Sequence, residues 1–249
     1  MQNPVLSQQQ NQEKQLVAAA ALRWVQDGMQ VGLGSGSTAA YFIFFLGEAV
    51  RAGKLRVEAV ATSLVSENLA RQAGIPLFEP RKGTRLDLTV DGADELDAEL
   101  RLIKGGGGAL LREKILATAS RRVLILADSS KVVPQLGRFP LPLEVVPFAL
   151  PWVLDTLEKL QANPILRSDR QNTNEAARTD QENLLVDCHF VQLPDPAQLA
   201  RQLEAIPGVV AHGLFLGLAH TALVAQGEQV LVYKPGEAPR SIAEFIELP

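Results

Sequence analysis

Short apolar segments alternate with helical ones through the first half of the chain, and this constrains the fold more than any other feature. Gln30 to Leu33 reads as a strand that runs into a glycine and serine turn, then into an apolar helix from about Thr38. The unit repeats. RVEAVATS reads as a strand, LVSENLARQAG as a helix and IPLFEP as a strand. LDLTVDGADEL is a strand ending in acids, IKGGGGALLREKILATAS a loop and helix, and RRVLILADSS a strand ending at Asp128. Parallel neighbours need a long crossover between them, usually a helix. The alternation therefore predicts βαβ units around a parallel sheet, an α/β architecture.

Near Arg138 the texture changes. RFPLPLEVVPF is proline-rich and extended. After it come a strand (143–147), a helix (151–160), a strand (165–168), a polar insert (169–182), a strand (184–192), a helix (195–205) and a strand (209–216). The order βαββαβ is the split pattern of a ferredoxin-like α+β unit. The tail TALVAQGEQVLVYK reads as a hairpin turning on Gln226-Gly227-Glu228 and returning to the first unit. Residues 1–137 with 216–249 are thus expected to form one domain and 138–215 a smaller one. A first helix is expected from Glu13 to Trp24, behind a Gln-rich residue 1–12 extension expected to be disordered.

Several function classes are disfavoured. The net charge is −4, which supplies no basic field for nucleic acid. The single cysteine, Cys188, allows no internal disulfide and fits a reducing compartment. The histidines, His189, His212 and His220, form no cluster with cysteine, so no metal site is expected. No secretory signal is read at the start, and the apolar runs are too short to span a bilayer, so no membrane partner and a cytoplasmic location are expected.

Ligands of open parallel sheets bind beyond the carboxyl ends of the strands. Four candidates fall there. GLGSGST offers backbone N–H groups, a helix N-terminus and the hydroxyls of Ser35, Ser37 and Thr38, a plausible phosphate cradle; it lacks the lysine of a Walker loop and the third glycine of a dinucleotide loop. The same residues also suit a tight turn with a serine cap. VDGADE places Asp91 and Asp94 just past an apolar strand, where two carboxylates can share a cleft or form an Asp-rich turn. Lys104 precedes four glycines, and Glu113 follows on the helix between Ala109, Leu116 and Ala117. That face is apolar, so Glu113 should be shielded and its pKa raised, as suits a general base; Arg112 and Lys114 read as solvated surface. ADSSK offers Lys131 as an anion contact, or as one more surface lysine. A phosphate cradle, two aspartates, a lysine and a shielded glutamate suit proton transfer beside the carbonyl of a phosphorylated sugar.

The ordered motifs GLGSGSTA, DGADEL, KGGGGALLREK, ADSSK and FPLPLEVVPFA closely resemble ribose-5-phosphate isomerase of type A. The likeness runs from about Glu13 to the end and is densest from Val31 to Ala149. It implies a Rossmann-like domain with a ferredoxin-like lid, a dimer or tetramer, no metal and no cofactor. It implies interconversion of D-ribose 5-phosphate and D-ribulose 5-phosphate in the non-oxidative pentose phosphate pathway through a cis-enediolate. Glu113 falls on the proton acceptor, with Asp91, Asp94 and Lys104 assisting ring opening and stabilising the oxyanion. The implied substrate contacts are Ser35, Gly36, Ser37, Thr38, Asp91, Gly92, Ala93, Asp94, Lys104, Gly105, Gly106, Gly107 and Lys131.

The chain departs from the family's pattern at Ser35, often threonine, at Gly108, often alanine, and in FLGLAHTALVA, where an arginine-containing turn is usual. A sugar-phosphate sensor on a related fold is a rival, although no helix-turn-helix precedes the sheet. Coenzyme A transferases and amino-sugar-phosphate deaminases are others; the latter use a histidine near the acids, and none lies before His189.

Overall fold

The computed structural model describes residues 4–169, 171–193 and 195–245. In chain order the elements are α1 (Pro4–Ala21), β1 (Gln30–Leu33), α2 (Ser37–Arg51), β2 (Glu58–Ala61), α3 (Leu64–Gln72), β3 (Leu88–Gly92), β4 (Glu95–Leu96), β5 (Leu102–Ile103), α4 (Leu110–Ala119) and β6 (Val123–Asp128). Then come β7 (Leu141–Val145), α5 (Leu150–Lys159), β8 (Pro164–Leu166), β9 (Leu184–Cys188), α6 (Pro196–Glu204), β10 (Val209–His212) and β11 (Leu214–Phe215). The chain closes with β12 (Thr221–Gln226), β13 (Gln229–Tyr233) and β14 (Arg240–Ser241).

The expected alternation builds a seven-stranded sheet in the order β14-β13-β12-β6-β3-β1-β2. Its strands from β12 to β2 are parallel, and the β13 hairpin extends it antiparallel, so the tail does return to this sheet. β6 is buried along its whole length because both faces are covered. Leu124 and Leu126 meet α1 and α2 through Val17, Ala18, Phe42 and Leu46. The alternate residues Val123, Ile125 and Ala127 meet Leu96, Leu102 and Phe215 on the other face. Each such fully buried large side chain contributes about 1.5–3 kcal/mol.

The second sheet has the order β10-β7-β9-β8 and is antiparallel. Each βαβ pair, β7-α5-β8 and β9-α6-β10, leaves a gap filled by a strand of the other, the ferredoxin-like arrangement expected. Val153 and Leu157 of α5 and Leu199 and Leu203 of α6 pack onto Leu143, Val145 and Val186. Ile103 and Leu136 join the same cluster, so the two units share apolar contacts. Where the chain crosses between them, buried Glu95 accepts from Gly137 N at 2.8 Å and Phe139 N at 2.6 Å.

Three expectations change, and the insert gains a definite place. The first helix begins at Pro4, so residues 4–12 are helical; residues 1–3 lie outside the described set. Glutamine is a good helix former, and Tyr41 OH donates to Asn11 Oδ1 at 2.9 Å. The strand expected at 75–80 is one bridge, Leu77 to Ala59, because Pro76 and Pro80 have no N–H to extend a ladder. The strand expected at 209–216 divides at Gly213, which donates to Pro142 O at 2.7 Å and accepts from Lys104 N at 2.9 Å, passing from one sheet to another. The insert is tied down over much of its length by bridges Ser168–Ala176 and Arg178–Leu184, and Asp180 accepts from Leu64 N at 2.9 Å on the first turn of α3.

Candidate active site

The chain runs from β1 outward to β2, then returns to place β3 on the other side of β1. That reversal opens a crevice past the carboxyl ends of β1 and β3. Leu33 pairs with Val90, so the two strands deliver Gly34 and Asp91 side by side. A side chain at Gly34 would put its Cβ 2.1 Å from Asp91 Oδ1, so the contact requires glycine. Gly34 N donates to Val90 O at 2.9 Å, and Asp91 Oδ1 accepts from Ser35 N at 3.1 Å and Gly92 N at 2.7 Å.

One cleft at this edge is lined by Ser35, Gly36, Ser37, Thr38, Gly92, Ala93, Asp94, Lys104, Gly107, Glu113 and Lys131, with Lys14 of α1. The structure thus brings together all four stretches singled out in the sequence. Asp91, Gly105 and Gly106 stand behind this wall rather than on it. Asp91 is buried, and Gly106 N donates to Asp94 Oδ2 at 2.7 Å.

Lys104 and Glu113, each 4% exposed, stand at the cleft floor with Asp91, 2% exposed, behind them, so this is a desolvated charge cluster. Lys104 Nζ lies 3.0 Å from Asp91 Oδ2 and 3.3 Å from Glu113 Oε2, and donates to Gly92 O at 2.6 Å. Its ammonium also sits 5.5 Å from the centre of the Phe215 ring. Burial opposes the charge on Lys104, but the carboxylates of Asp91 and Glu113 outweigh it and hold the lysine above its ordinary value. Glu113 behaves in the opposite sense to a simple ion pair. Burial pushes its carboxyl up, the pull of Lys104 only partly offsets this, Asp91 adds repulsion, and the result is about 8. Its Oε2 is buried without a hydrogen bond. The apolar helix face read in the sequence is the cause: Leu110, Leu116 and Ala117 are buried alongside Glu113.

At the other end, α2 begins at Ser37 behind Gly36, whose φ is 90°. The first N–H groups of a helix have no intrahelical acceptor and carry partial positive charge. Lys14 and Lys131 line the cleft with them, so positive charge gathers there. The Ser35 hydroxyl, expected among the ligand donors, also has partners within the protein. It bonds Thr62 Oγ1 at 2.7 Å and Ser63 Oγ at 2.9 Å, while Ser66 Oγ donates to Gly34 O at 2.7 Å. These hydroxyls fasten the loop and leave Ser37, Thr38 and backbone donors for a ligand.

Sequence reasoning missed Lys14, which it placed beside an extension expected to be disordered. The neighbouring Glu13 is the reason Lys14 is held. Buried at 1% exposure, Glu13 accepts from Ser129 N, Ser129 Oγ and Gly227 N, each at 2.9 Å. That ties α1 to the Ser129–Lys131 turn. Arg112 and Lys114 are not the solvated residues expected. Arg112 donates to Ala61 O at 2.9 Å, and Lys114 donates to His212 O at 2.8 Å and Leu214 O at 2.9 Å. Burial lowers Lys114 to about 8 and buried His212 to about 4. Cys188 is buried in the second core, its thiol pushed up to about 12. Among the described residues no three His, Cys, Asp or Glu side chains are grouped to hold a metal ion, and no helix is long and apolar enough to cross a membrane.

The model of the family "Ribose 5-phosphate isomerase A (phosphoriboisomerase A)" matches residues 58–229. The ribose-5-phosphate isomerase A of Sphingopyxis alaskensis is 48% identical over 226 residues, covering 91% of this chain and 97% of the relative. That of Agrobacterium fabrum is 50% identical over 220 residues, covering 87% and 95%. Among solved structures, ribose 5-phosphate isomerase A of Methanocaldococcus jannaschii superposes with a TM-score of 0.85 at 37% identity, covering 90% of this chain and 99% of that one. A D-ribose-5-phosphate isomerase in complex with phospho-erythronic acid gives a TM-score of 0.86 at 35% identity, covering 90% and 98%.

Proposed function

The chain belongs to the ribose 5-phosphate isomerase A family, and from that premise we propose that it interconverts D-ribose 5-phosphate and D-ribulose 5-phosphate through a cis-enediolate with Glu113 as the base. The observation that carries the mechanism is the Glu113 carboxylate: buried, facing the cleft, raised to about 8, with Oε2 free of hydrogen bonds and Lys104 3.3 Å away.

The phosphate binds at the first turn of α2, between Ser37, Thr38, Lys14 and Lys131. This fixes the open-chain sugar with its carbonyl end toward Lys104. Asp94, which lines the cleft, assists ring opening: it takes the proton of the C1 hydroxyl, the C1–O4 bond breaks as the C1 carbonyl forms, and the proton is returned to O4. Glu113 Oε2 then takes the proton from C2. The C2–H electron pair forms the C1–C2 double bond, and the C1 carbonyl oxygen becomes an oxyanion facing Lys104. A proton passes from the C2 hydroxyl to O1, the electrons on O2 rebuild a carbonyl at C2, and protonated Glu113 returns its proton to C1. Asp91 acts through Lys104, holding the ammonium in place. Charge stabilisation of this kind is strongest where water is excluded and the donors are fixed beforehand. A base with a raised pKa abstracts a carbon-bound proton more readily than an ordinary carboxylate.

No metal enters this scheme, and the 138–215 unit would act as a lid over the sugar. Ketose formation from ribose 5-phosphate in the presence of a chelator tests the reading; a requirement for added divalent cation would contradict it.

A further inference from the structure

Arg167 lies just past β8, in the ferredoxin-like unit, yet it reaches the glycine loop of the other unit. Its Nη1 donates to Gly105 O at 3.1 Å and to Gly106 O at 3.3 Å. Its remaining donors are fixed by Asp187 of β9, Nε to Oδ2 at 2.8 Å and Nη2 to Oδ1 at 2.5 Å. The backbone of Arg167 is held on both sides, its N–H by Leu185 O and its carbonyl by Ala177 N, each at 2.8 Å. Both side chains are largely enclosed, at 16% and 20% exposure. A fork locked on one edge by a carboxylate presents the other edge in a fixed direction.

The carbonyl of one residue and the N–H of the next belong to one planar trans unit and point opposite ways. A carbonyl drawn toward Arg167 therefore turns the following N–H away from it. For the Gly105–Gly106 unit that N–H reaches the Asp94 carboxylate at 2.7 Å. For the Gly106–Gly107 unit it belongs to Gly107, which lines the cleft. Among the described residues no acceptor is found for Gly107 N–H. Gly108 N–H closes this turn on Gly105 O at 2.9 Å, and within such a turn a glycine peptide can adopt more than one orientation.

We propose that Arg167 is a positioning residue: by holding the carbonyls of Gly105 and Gly106, it fixes Gly107 N–H as a donor aimed at the oxyanion and fixes Asp94 beside it. The proposal rests on the isomerase reaction above. It also makes the site depend on the ferredoxin-like unit, since the clamp comes from β8 and β9 while the base and the phosphate site come from the other unit.

The test compares the parent with Arg167→Ala, Arg167→Lys and the double variant Arg167→Ala/Asp187→Asn, which leaves no bare carboxylate behind. Displaced catalytic geometry costs on the order of 10- to 100-fold in turnover. The double variant should lose kcat by that factor while inorganic phosphate still inhibits competitively with the parent's affinity, because its site does not involve the clamp. Arg167→Lys should recover little, since one ammonium cannot hold both Asp187 and two carbonyls. Hydrogen exchange of the 104–109 segment should be several-fold faster in the double variant, a readout independent of turnover. A kcat within about twofold of the parent, unchanged exchange, or a loss of phosphate affinity equal to the loss of kcat would each overturn the proposal. An inactive parent would instead overturn the isomerase reading, and the exchange measurement would still decide the clamp.

Discussion

Lys104 Nζ stands 3.3 Å from Glu113 Oε2, yet that oxygen accepts no hydrogen bond. The lysine is nearer Asp91, at 3.0 Å, and donates to Gly92 O. Glu113 therefore feels a cation without being neutralised by it. It keeps an oxygen available for a carbon-bound proton, while the same cation awaits the charge that appears on the substrate.

Removing that oxygen's basicity should stop the reaction and spare binding. Glu113→Gln is expected to lower kcat by about 10²–10⁴-fold, the usual contribution of a positioned base. Exchange of the substrate's C2 proton with deuterated solvent, followed by NMR, should vanish with turnover, whereas competitive inhibition by inorganic phosphate should persist. Exchange at the parent rate would take the base role from Glu113.

Because the base works only when ionised, kcat/KM should rise with pH and level off above about 8, the value to which Glu113 is pushed. Stability should move the other way. The native carboxyl sits above its ordinary value of 4.5, so the folded state holds the proton more tightly; that contribution is complete below about 4.5 and is lost as pH rises through about 8. The melting temperature of Glu113→Gln minus that of the parent should grow across this window, on the order of 2–4 °C per kcal/mol. A difference that stays flat from pH 5 to 8.5 would show that burial does not raise this carboxyl.

The glycine run separates into positions with different demands. At Gly107, which lines the cleft, an added Cβ meets nothing within 4 Å; on the proposed reading it would intrude on the sugar, so Gly107→Ala should leave the melting temperature unchanged and lower kcat/KM about tenfold. At Gly105, φ is 104° and a Cβ would lie 2.9 Å from Leu110 Cβ, so Gly105→Ala should cost at least about 1–2 kcal/mol of stability. At Gly106 a Cβ would lie 2.7 Å from Asp94 Oδ1, so alanine there should disturb Asp94 itself. Thermal melts beside steady-state kinetics distinguish the three.

Lys14 and Lys131 line the same cleft as the α2 N-terminus. Losing one charge-assisted contact of about 1.5 kcal/mol corresponds to roughly tenfold in affinity. Lys14→Ala is expected to raise KM and the inhibition constant of inorganic phosphate together, with kcat less affected. Added salt should weaken phosphate binding in the parent more than in the variant. An unchanged phosphate constant would remove Lys14 from the anion site.

Much of this was legible in the sequence because it is written in local pattern. Short apolar runs alternating with helices specify a parallel sheet, and the residues that end those strands must gather at one edge. The wheel position of Glu113 among Leu116 and Ala117 specified its shielding. What only the tertiary structure decided depends on neighbours distant along the chain. Glu13 reads as a polar residue at a helix start, but Ser129 and Gly227, more than a hundred residues away, donate to it and fasten the helix that carries Lys14 of the cleft lining. The Ser35 hydroxyl, read as a ligand donor, is claimed by Thr62 and Ser63. Arg167 is not singled out in the sequence, and its reach to the carbonyls of Gly105 and Gly106 exists only because two separately patterned units pack together. Local periodicity can say which face of an element is buried; it carries no information on which distant polar group meets that face, and that pairing decides which donors remain for chemistry.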